Sequence, residues 1–210
     1  MNNLPLVKIC GVTDIMVAHV VEQAGADFIG FVFAKSKRQV TPTVAKKIIQ
    51  SLDTSIKTVG VFVDHPKDTV EQIARDVGLD YVQLHGSETP AEILDYTVPV
   101  IKALTLTTKE DVTQLTAYDG ICAYVLVDGP VPGSGEAFDW AWLSETKLTT
   151  PLLLAGGLNV DNLDAAKQVT AISGFDVSSG VETEGIKDHQ KITDFIDKAK
   201  GREKYVSTTK

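Results

Sequence analysis

Hydrophobic positions in this chain form short, nearly continuous runs separated by amphipathic stretches, and the alternation persists from end to end. The runs are Leu6–Cys10, Phe28–Phe33, Thr58–Val63, Tyr81–Leu84, Val100–Ala103, Tyr124–Val127, Leu152–Ala155 and Ile172–Val177. Each is strand-length and carries almost no polar alternation, which is the pattern of a strand covered on both faces. Between them, Ile15–Ala24, Val44–Leu52, Lys67–Val77, Ala91–Tyr96, Lys109–Tyr118, Trp140–Ser144 and Val160–Val169 read as helices, and Ile192–Ala199 follows the last strand. Thr13, Thr41-Pro42, His65-Pro66, Thr89-Pro90 and Thr107-Thr108 are helix start signals, while Gly25 and Gly78 stand where helices should stop.

Eight strand–helix units without a break in composition predict a single-domain α/β protein, a (β/α)8 TIM barrel over residues 1–200. The competing open, doubly wound sheet would place its dominant glycine-rich turn after the first strand. Here Gly11 stands alone, and glycines cluster after the sixth, seventh and eighth strands instead. Residues 201–210 read as a polar C-terminal tail.

Composition narrows the setting. A net charge of −8 argues against nucleic acid and anionic membrane surfaces as partners, so an anionic ligand must be drawn in by local donors. Two cysteines, Cys10 and Cys122, make no disulfide framework and suit a reduced, cytoplasmic setting. The N-terminus does not read as a signal peptide, and no apolar stretch approaches the roughly 20 residues that span a bilayer.

Barrel strands deliver their chemistry at their carboxyl ends. Cys10 ends the first strand and Asp128 follows the sixth, so a barrel brings a thiol and a carboxyl to one mouth as a candidate base and acid. Both start from the wrong ionisation: a free thiol is mostly protonated near neutrality and a free aspartate is almost wholly ionised. A helix beginning near Thr13 is expected to lower the thiol pKa, with Lys8 helping only if its side chain points the same way. Burial is expected to raise that of Asp128.

Ala155-Gly156-Gly157-Leu158 and Ser178-Ser179-Gly180 follow the last two strands, where barrels of this class often seat a phosphate. Simple tight turns are the alternative. Lys35, Lys37 and Arg38 place positive charge at the same mouth, and an arginine is suited to grip a carboxylate; a solvated basic loop is the alternative. The Gly- and Pro-rich segment 129–136 reads as a loop able to lie over a ligand, or else as an exposed turn cluster. Cys122, Trp140 and Trp142 read as packing residues, and His19, His65 and His189 as surface or capping residues.

Seven segments then occur together and in order: Lys8-Ile9-Cys10-Gly11, Gly30-Phe31-Val32-Phe33 with Ser36-Lys37-Arg38, Val59-Gly60-Val61-Phe62-Val63, Val82-Gln83-Leu84-His85-Gly86, the Gly-Ser-Gly-x-x-Phe-Asp-Trp run ending at Trp140, Leu154-Ala155-Gly156-Gly157-Leu158, and Asp176-Val177-Ser178-Ser179-Gly180-Val181-Glu182. With them the chain resembles the phosphoribosylanthranilate isomerases of tryptophan biosynthesis over nearly its whole length. The resemblance implies an Amadori rearrangement of a phosphorylated aminoaldose, with Cys10 as general base and Asp128 as general acid. It also implies that Arg38 receives the anthranilate carboxylate, that Gly156, Gly157, Ser179 and Gly180 hold the phosphate, and that His85 and Asp176 line the pocket. It implies no cofactor and no metal, and it leaves the oligomeric state open. One departure from the family pattern is Pro132-Gly133-Ser134-Gly135, where many members carry a Gly-Gly-Thr-Gly-like stretch; a stiffer loop is expected. Histidine-pathway isomerases, metal-dependent pentose-phosphate epimerases and a catalytically silent phosphate sensor are the rivals. The first use aspartate where this chain has Cys10, the second need a His/Asp metal set that does not stand out here, and the third has no use for both Cys10 and Asp128.

Overall fold

The computed structural model describes residues 4–53, 55–130 and 138–202. Eight parallel strands close into a barrel: β1 (Leu6–Cys10), β2 (Phe28–Val32), β3 (Lys57–Phe62), β4 (Tyr81–Leu84), β5 (Val100–Thr105), β6 (Tyr124–Asp128), β7 (Leu152–Leu154) and β8 (Ile172–Val177). All eight expected strands are present, with ends that shift by no more than a residue or two. The barrel is sealed by pairing of β1 with β8, in which Lys8 lies opposite Asp176.

The barrel interior changes character along its axis. Phe28, Tyr81 and Tyr124, each the first residue of its strand, meet edge-to-face with ring centroids 5.4 to 5.8 Å apart and fill the N-terminal end. Val59, Ile101, Ala103, Leu126 and Leu153 continue the same apolar cluster. Polar side chains enter only toward the carboxyl ends of the strands. A second, larger apolar cluster lies between the barrel and its helices, and this is why the strands read as continuous hydrophobic runs.

The helical layer contains α1 (Ile15–Gln23), α2 (Pro42–Ile49), α3 (Lys67–Val77), α4 (Pro90–Leu94), α5 (Leu163–Ala166) and α6 (His189–Ala199). Thr41 and Thr89 cap as expected, Thr89 in a reciprocal capping box with Glu92. The cap of α1 is Asp14, which accepts a hydrogen bond from the Val17 amide, rather than Thr13. On α6, Ile192, Phe195, Ile196 and Ala199 form the buried stripe at helical spacing.

Three expected helices are different. Lys109–Tyr118 and Trp140–Leu143 are 3-10 segments, and α5 occupies only the middle of the expected 160–169. In the first, only Leu115 is buried, and the Thr113 and Thr116 hydroxyls donate back to the carbonyls of Glu110 and Thr113, both at 2.8 Å. Before α5, Asn159 and Asn162 each accept the other's backbone amide, at 3.1 and 2.9 Å, which delays the helix. A short antiparallel hairpin, β9 (Glu182–Thr183) and β10 (Ile186–Lys187), follows β8 and was not expected. Glu184 and Gly185 turn it with φ of 53° and 80°, so it carries the same double positive-φ turn that Asn-Gly announces more audibly.

Candidate active site

A cavity of 480 Å³ opens at the carboxyl ends of the barrel strands. Cys10, Arg38, His85, Asp128, Gly156, Gly157, Asp176 and Ser179 all line it, so eight of the nine expected site residues share one space. The ninth, Gly180, acts behind the wall. A β-carbon there would overlap the Leu158 carbonyl oxygen, so the loops after β7 and β8 touch backbone to backbone only because residue 180 has no side chain. Gly156 has a φ of +78°, and a β-carbon on it would lie 2.5 Å from the Gly129 amide nitrogen and 3.1 Å from Asp128 Oδ1. The Asn162 side-chain amide donates to the Gly157 carbonyl at 2.8 Å and fixes the first of these loops from outside.

Cys10 and Asp128 are the last residues of β1 and β6, and each keeps about a twelfth of its surface exposed (8%). Burial pushes the Asp128 carboxyl up to about 6, against the hydrogen bond it accepts from the Gly129 amide at 2.8 Å; the neighbouring Asp176 adds to the rise. This is the direction expected of a proton donor. The thiol differs from expectation. Burial raises its pKa, and Lys8 and Lys187 oppose that rise without overcoming it. The helix N-terminus is not the counterweight, because α1 starts five residues later and turns its cap to Asp14.

Lys8 does point the same way, as residues two apart on a strand must. It is fully buried and its ammonium donates to Asp176 Oδ1 at 3.0 Å, below the cavity floor. Asp176, which the sequence left without a role, is thus the partner of that buried charge.

Arg38 is buried rather than solvated. Its Nε and Nη2 donate to the two carboxylate oxygens of Glu182, at 2.5 and 2.8 Å. Lys187 donates to Glu182 Oε1 at 2.9 Å and to the Ser178 carbonyl at 2.8 Å, and the Ser178 hydroxyl donates to the Cys10 carbonyl at 3.1 Å. Arginine and lysine hold the Glu182 carboxyl down at about 2, although burial alone would raise it. Ser178 and Glu182 belong to the segment after the eighth strand, but their roles, and Lys187 altogether, are not foreseen; the hairpin turn is the available signal for Lys187. Lys35 and Lys37 also line the cavity, so its rim is cationic in an acidic chain.

His85 is neutral near pH 7: burial, with Lys102 and Lys8 nearby, pushes it down to about 4. Its Nε2 and the Gln83 Oε1 are buried without a hydrogen-bond partner, and both residues line the cavity. Lys102 fastens the loop that carries His85, donating to the Gly86 carbonyl and to Glu88, each at 2.7 Å. Residues 131–137 of the expected covering loop, including Pro132–Gly135, lie outside the described residues.

The arrangement joins a buried carboxyl of raised pKa, a thiol, a cationic rim and a glycine-built double loop around a space the size of a small phosphorylated sugar derivative. Comparison with known proteins decides the family. The family model described as N-(5'phosphoribosyl)anthranilate (PRA) isomerase matches residues 7–198. The chain belongs to the phosphoribosylanthranilate isomerases. It is 44% identical over 200 residues to the N-(5'-phosphoribosyl)anthranilate isomerase of Bacillus cereus (strain AH187), covering 92% of this chain and 97% of that one. The phosphoribosylanthranilate isomerase structure from Thermotoga maritima superimposes with a TM-score of 0.87 at 36% identity, over 94% of this chain and all of that one. A phosphoribosylanthranilate isomerase in complex with reduced 1-(o-carboxyphenylamino)-1-deoxyribulose 5-phosphate gives a TM-score of 0.83 at 35% identity, over 94% of this chain and 100% of that one. The chain is accordingly an aldose–ketose isomerase of tryptophan biosynthesis. It catalyses the Amadori rearrangement of N-(5-phosphoribosyl)anthranilate to 1-(2-carboxyphenylamino)-1-deoxyribulose 5-phosphate. Among the described residues no helix is long and apolar enough to cross a membrane.

Proposed function

We propose that Cys10 and Asp128 carry out this rearrangement as general base and general acid, with residues 1–200 as the catalytic barrel, residues 201–210 as a tail beyond it and the cytoplasm as its place of work. Protonated Asp128 gives its proton to the furanose ring oxygen as the C1–O bond breaks, and the substrate nitrogen's lone pair forms the iminium. Cys10 as thiolate takes the proton from C2. The C–H electrons become the C1–C2 double bond and neutralise the iminium, giving an enolamine that tautomerises to the ketone. The substrate's own nitrogen is the electron sink, so the steps call for no redox cofactor.

Binding follows from the same walls. The remaining N–H groups of the Arg38 guanidinium face a carboxylate ligand, and the amides of Gly156, Gly157 and Ser179 receive the phosphate, with Gly180 letting their two loops meet. His85 and Gln83 offer their unpaired atoms to the sugar hydroxyls. The ligand in the related complex carries all three groups, a carboxyphenyl, a ribulose and a phosphate. The observation that carries this reading is that Cys10 and Asp128, over a hundred residues apart, line the same cavity as Arg38 and the glycine loops.

Complementation tests the assignment as a whole. Expression of this chain should restore growth without tryptophan to a strain lacking this isomerase, and should fail to do so when Cys10→Ala and Asp128→Asn are combined. Restored growth by the double variant would contradict the proposed roles.

A further inference from the structure

Cys10 has been placed as a base, yet its thiol is buried and its proton affinity is raised by that burial. Something in the fold must favour the thiolate. The charged groups around Cys10 come from several elements: Lys8 from its own strand, Asp176 from β8, Lys187 from β10, and, across the cavity, Asp128 from β6, His85 after β4 and Arg38 after β2. Of these, Lys187 is bound to Glu182 and Ser178, and Arg38 is bound to Glu182. His85 is neutral at neutral pH. Lys8 alone sits directly beneath the sulfur on the same strand face.

The local construction keeps these two groups together. Gly30 is the register partner of Cys10 across the β1–β2 pair. A β-carbon at that position would stand 3.0 Å from Cys10 Sγ and 3.3 Å from Lys8 Nζ, so the empty side of Gly30 is the space that the sulfur and the ammonium share. Lys8 is fully buried and bonded to Asp176, its register partner on the other neighbouring strand, at 3.0 Å. A lysine this deep would tend to lose its proton, and the paired carboxylate reverses that tendency, so it stays charged. A fixed, dry, permanent cation next to a thiol is worth far more than one in solvent.

We propose that Lys8 is a positioning residue for the reaction, resting on the assignment of Cys10 as base: its ammonium, pinned by Asp176 and given room by Gly30, is the fixed charge against which Cys10 sheds its proton. Asp176 then has two opposed effects. It keeps Lys8 charged, and its own negative charge restrains the thiolate, so the free enzyme holds its base in reserve as a thiol.

The experiment reads the sulfur directly and does not depend on turnover. In a Cys122→Ser background, the rate of Cys10 alkylation by iodoacetamide is followed against pH. Lys8→Met should slow alkylation at pH 7 at least about tenfold and move its midpoint upward by a pH unit or more, about 1.4 kcal/mol. Lys8→Arg should restore part of the rate. In turnover, Lys8→Met should lower kcat with little change in KM. A Lys8→Met profile that superimposes on the parent would overturn the proposal. Should Lys8→Met fail to fold, as judged by circular dichroism, the polar Lys8→Gln decides in its place: an unmoved midpoint would count against the proposal. The two failures are separable. An active Cys10→Ala removes the base assignment whatever the thiol titration shows, whereas an unmoved titration removes Lys8 and leaves Cys10 in place.

Discussion

Arg38 is held by Glu182 through two hydrogen bonds, Nε to Oε1 at 2.5 Å and Nη2 to Oε2 at 2.8 Å. The pair fixes the plane of the guanidinium before any ligand arrives, which reduces the entropy lost on binding. Arg38→Lys keeps the charge and loses the fork. We expect it to raise KM at least about tenfold with a smaller effect on kcat, because the carboxylate is distant from the reacting carbons. Glu182→Gln should act in the same direction. Inhibition by inorganic phosphate should stay near the parent value in both variants. Steady-state kinetics with phosphate as competitor measures each of these, and a KM unchanged in Arg38→Lys would remove Arg38 from carboxylate binding.

The second prediction concerns the contact between Gly180 and Leu158. Gly180→Ala forces a β-carbon into the Leu158 carbonyl, so the two loops must part. Loss of a few kcal/mol in stability is expected, about 2–4 by analogy with other backbone-incompatible substitutions, together with weaker inhibition by phosphate. Urea denaturation and phosphate competition test the two halves separately.

Asp128 should lower the stability of the protein at neutral pH. Its folded pKa, about 6, lies above the ordinary 3.8, so between those values the native state binds the extra proton and stability declines as pH rises. The loss is complete above the folded pKa. Asp128→Asn does not titrate, so its stability relative to the parent should improve by about 2 kcal/mol between pH values near 4 and near 8. Denaturation curves at the two pH values give the comparison; a constant difference would show that the carboxyl is not perturbed by burial.

The same ionisations shape the rate. On the proposed roles, catalysis requires Asp128 protonated and Cys10 ionised, which is the reverse of their resting preference near neutrality. The fraction of enzyme in that form rises with pH up to about 6 and stays level while losses of acid and gains of base cancel. It falls only above the ordinary thiol range, because burial raises Cys10. A kcat/KM profile should therefore show a broad plateau whose acid limb lies near 6, both limbs belonging to the pair of groups as a whole. A maximum confined below pH 6 would be inconsistent with this pairing.

Much of this architecture is written plainly in the chain, and the reasons differ from element to element. Strands buried on both faces are apolar nearly throughout, so β2, β6 and β7 announce themselves, and closure of the barrel then puts Cys10 and Asp128 at one mouth without further information. The segment 109–118 misleads because its amphipathic spacing is real, while its threonines divert hydrogen bonds and only Leu115 is fully buried. Glu182 and Lys187 are harder still. Their partners Arg38 and Ser178 are distant or belong to a loop, and no local pattern tells a buried ion pair from a solvated charge. Lys8 is the intermediate case. Its direction follows from strand alternation, but its charge is tolerable there only because Asp176 arrives from the far end of the chain.

The most direct test of the account is pre-steady-state turnover of the purified Cys10→Ala and Asp128→Asn variants, with solvent deuterium incorporation at C2 of the substrate as a second readout. Each variant should retain its fold and lose at least about a hundredfold in the chemical step, as removal of a positioned acid or base does. Cys10→Ala should also abolish deuterium exchange at C2. Exchange and turnover at parental rates in Cys10→Ala would contradict the claim that this sulfur moves the proton.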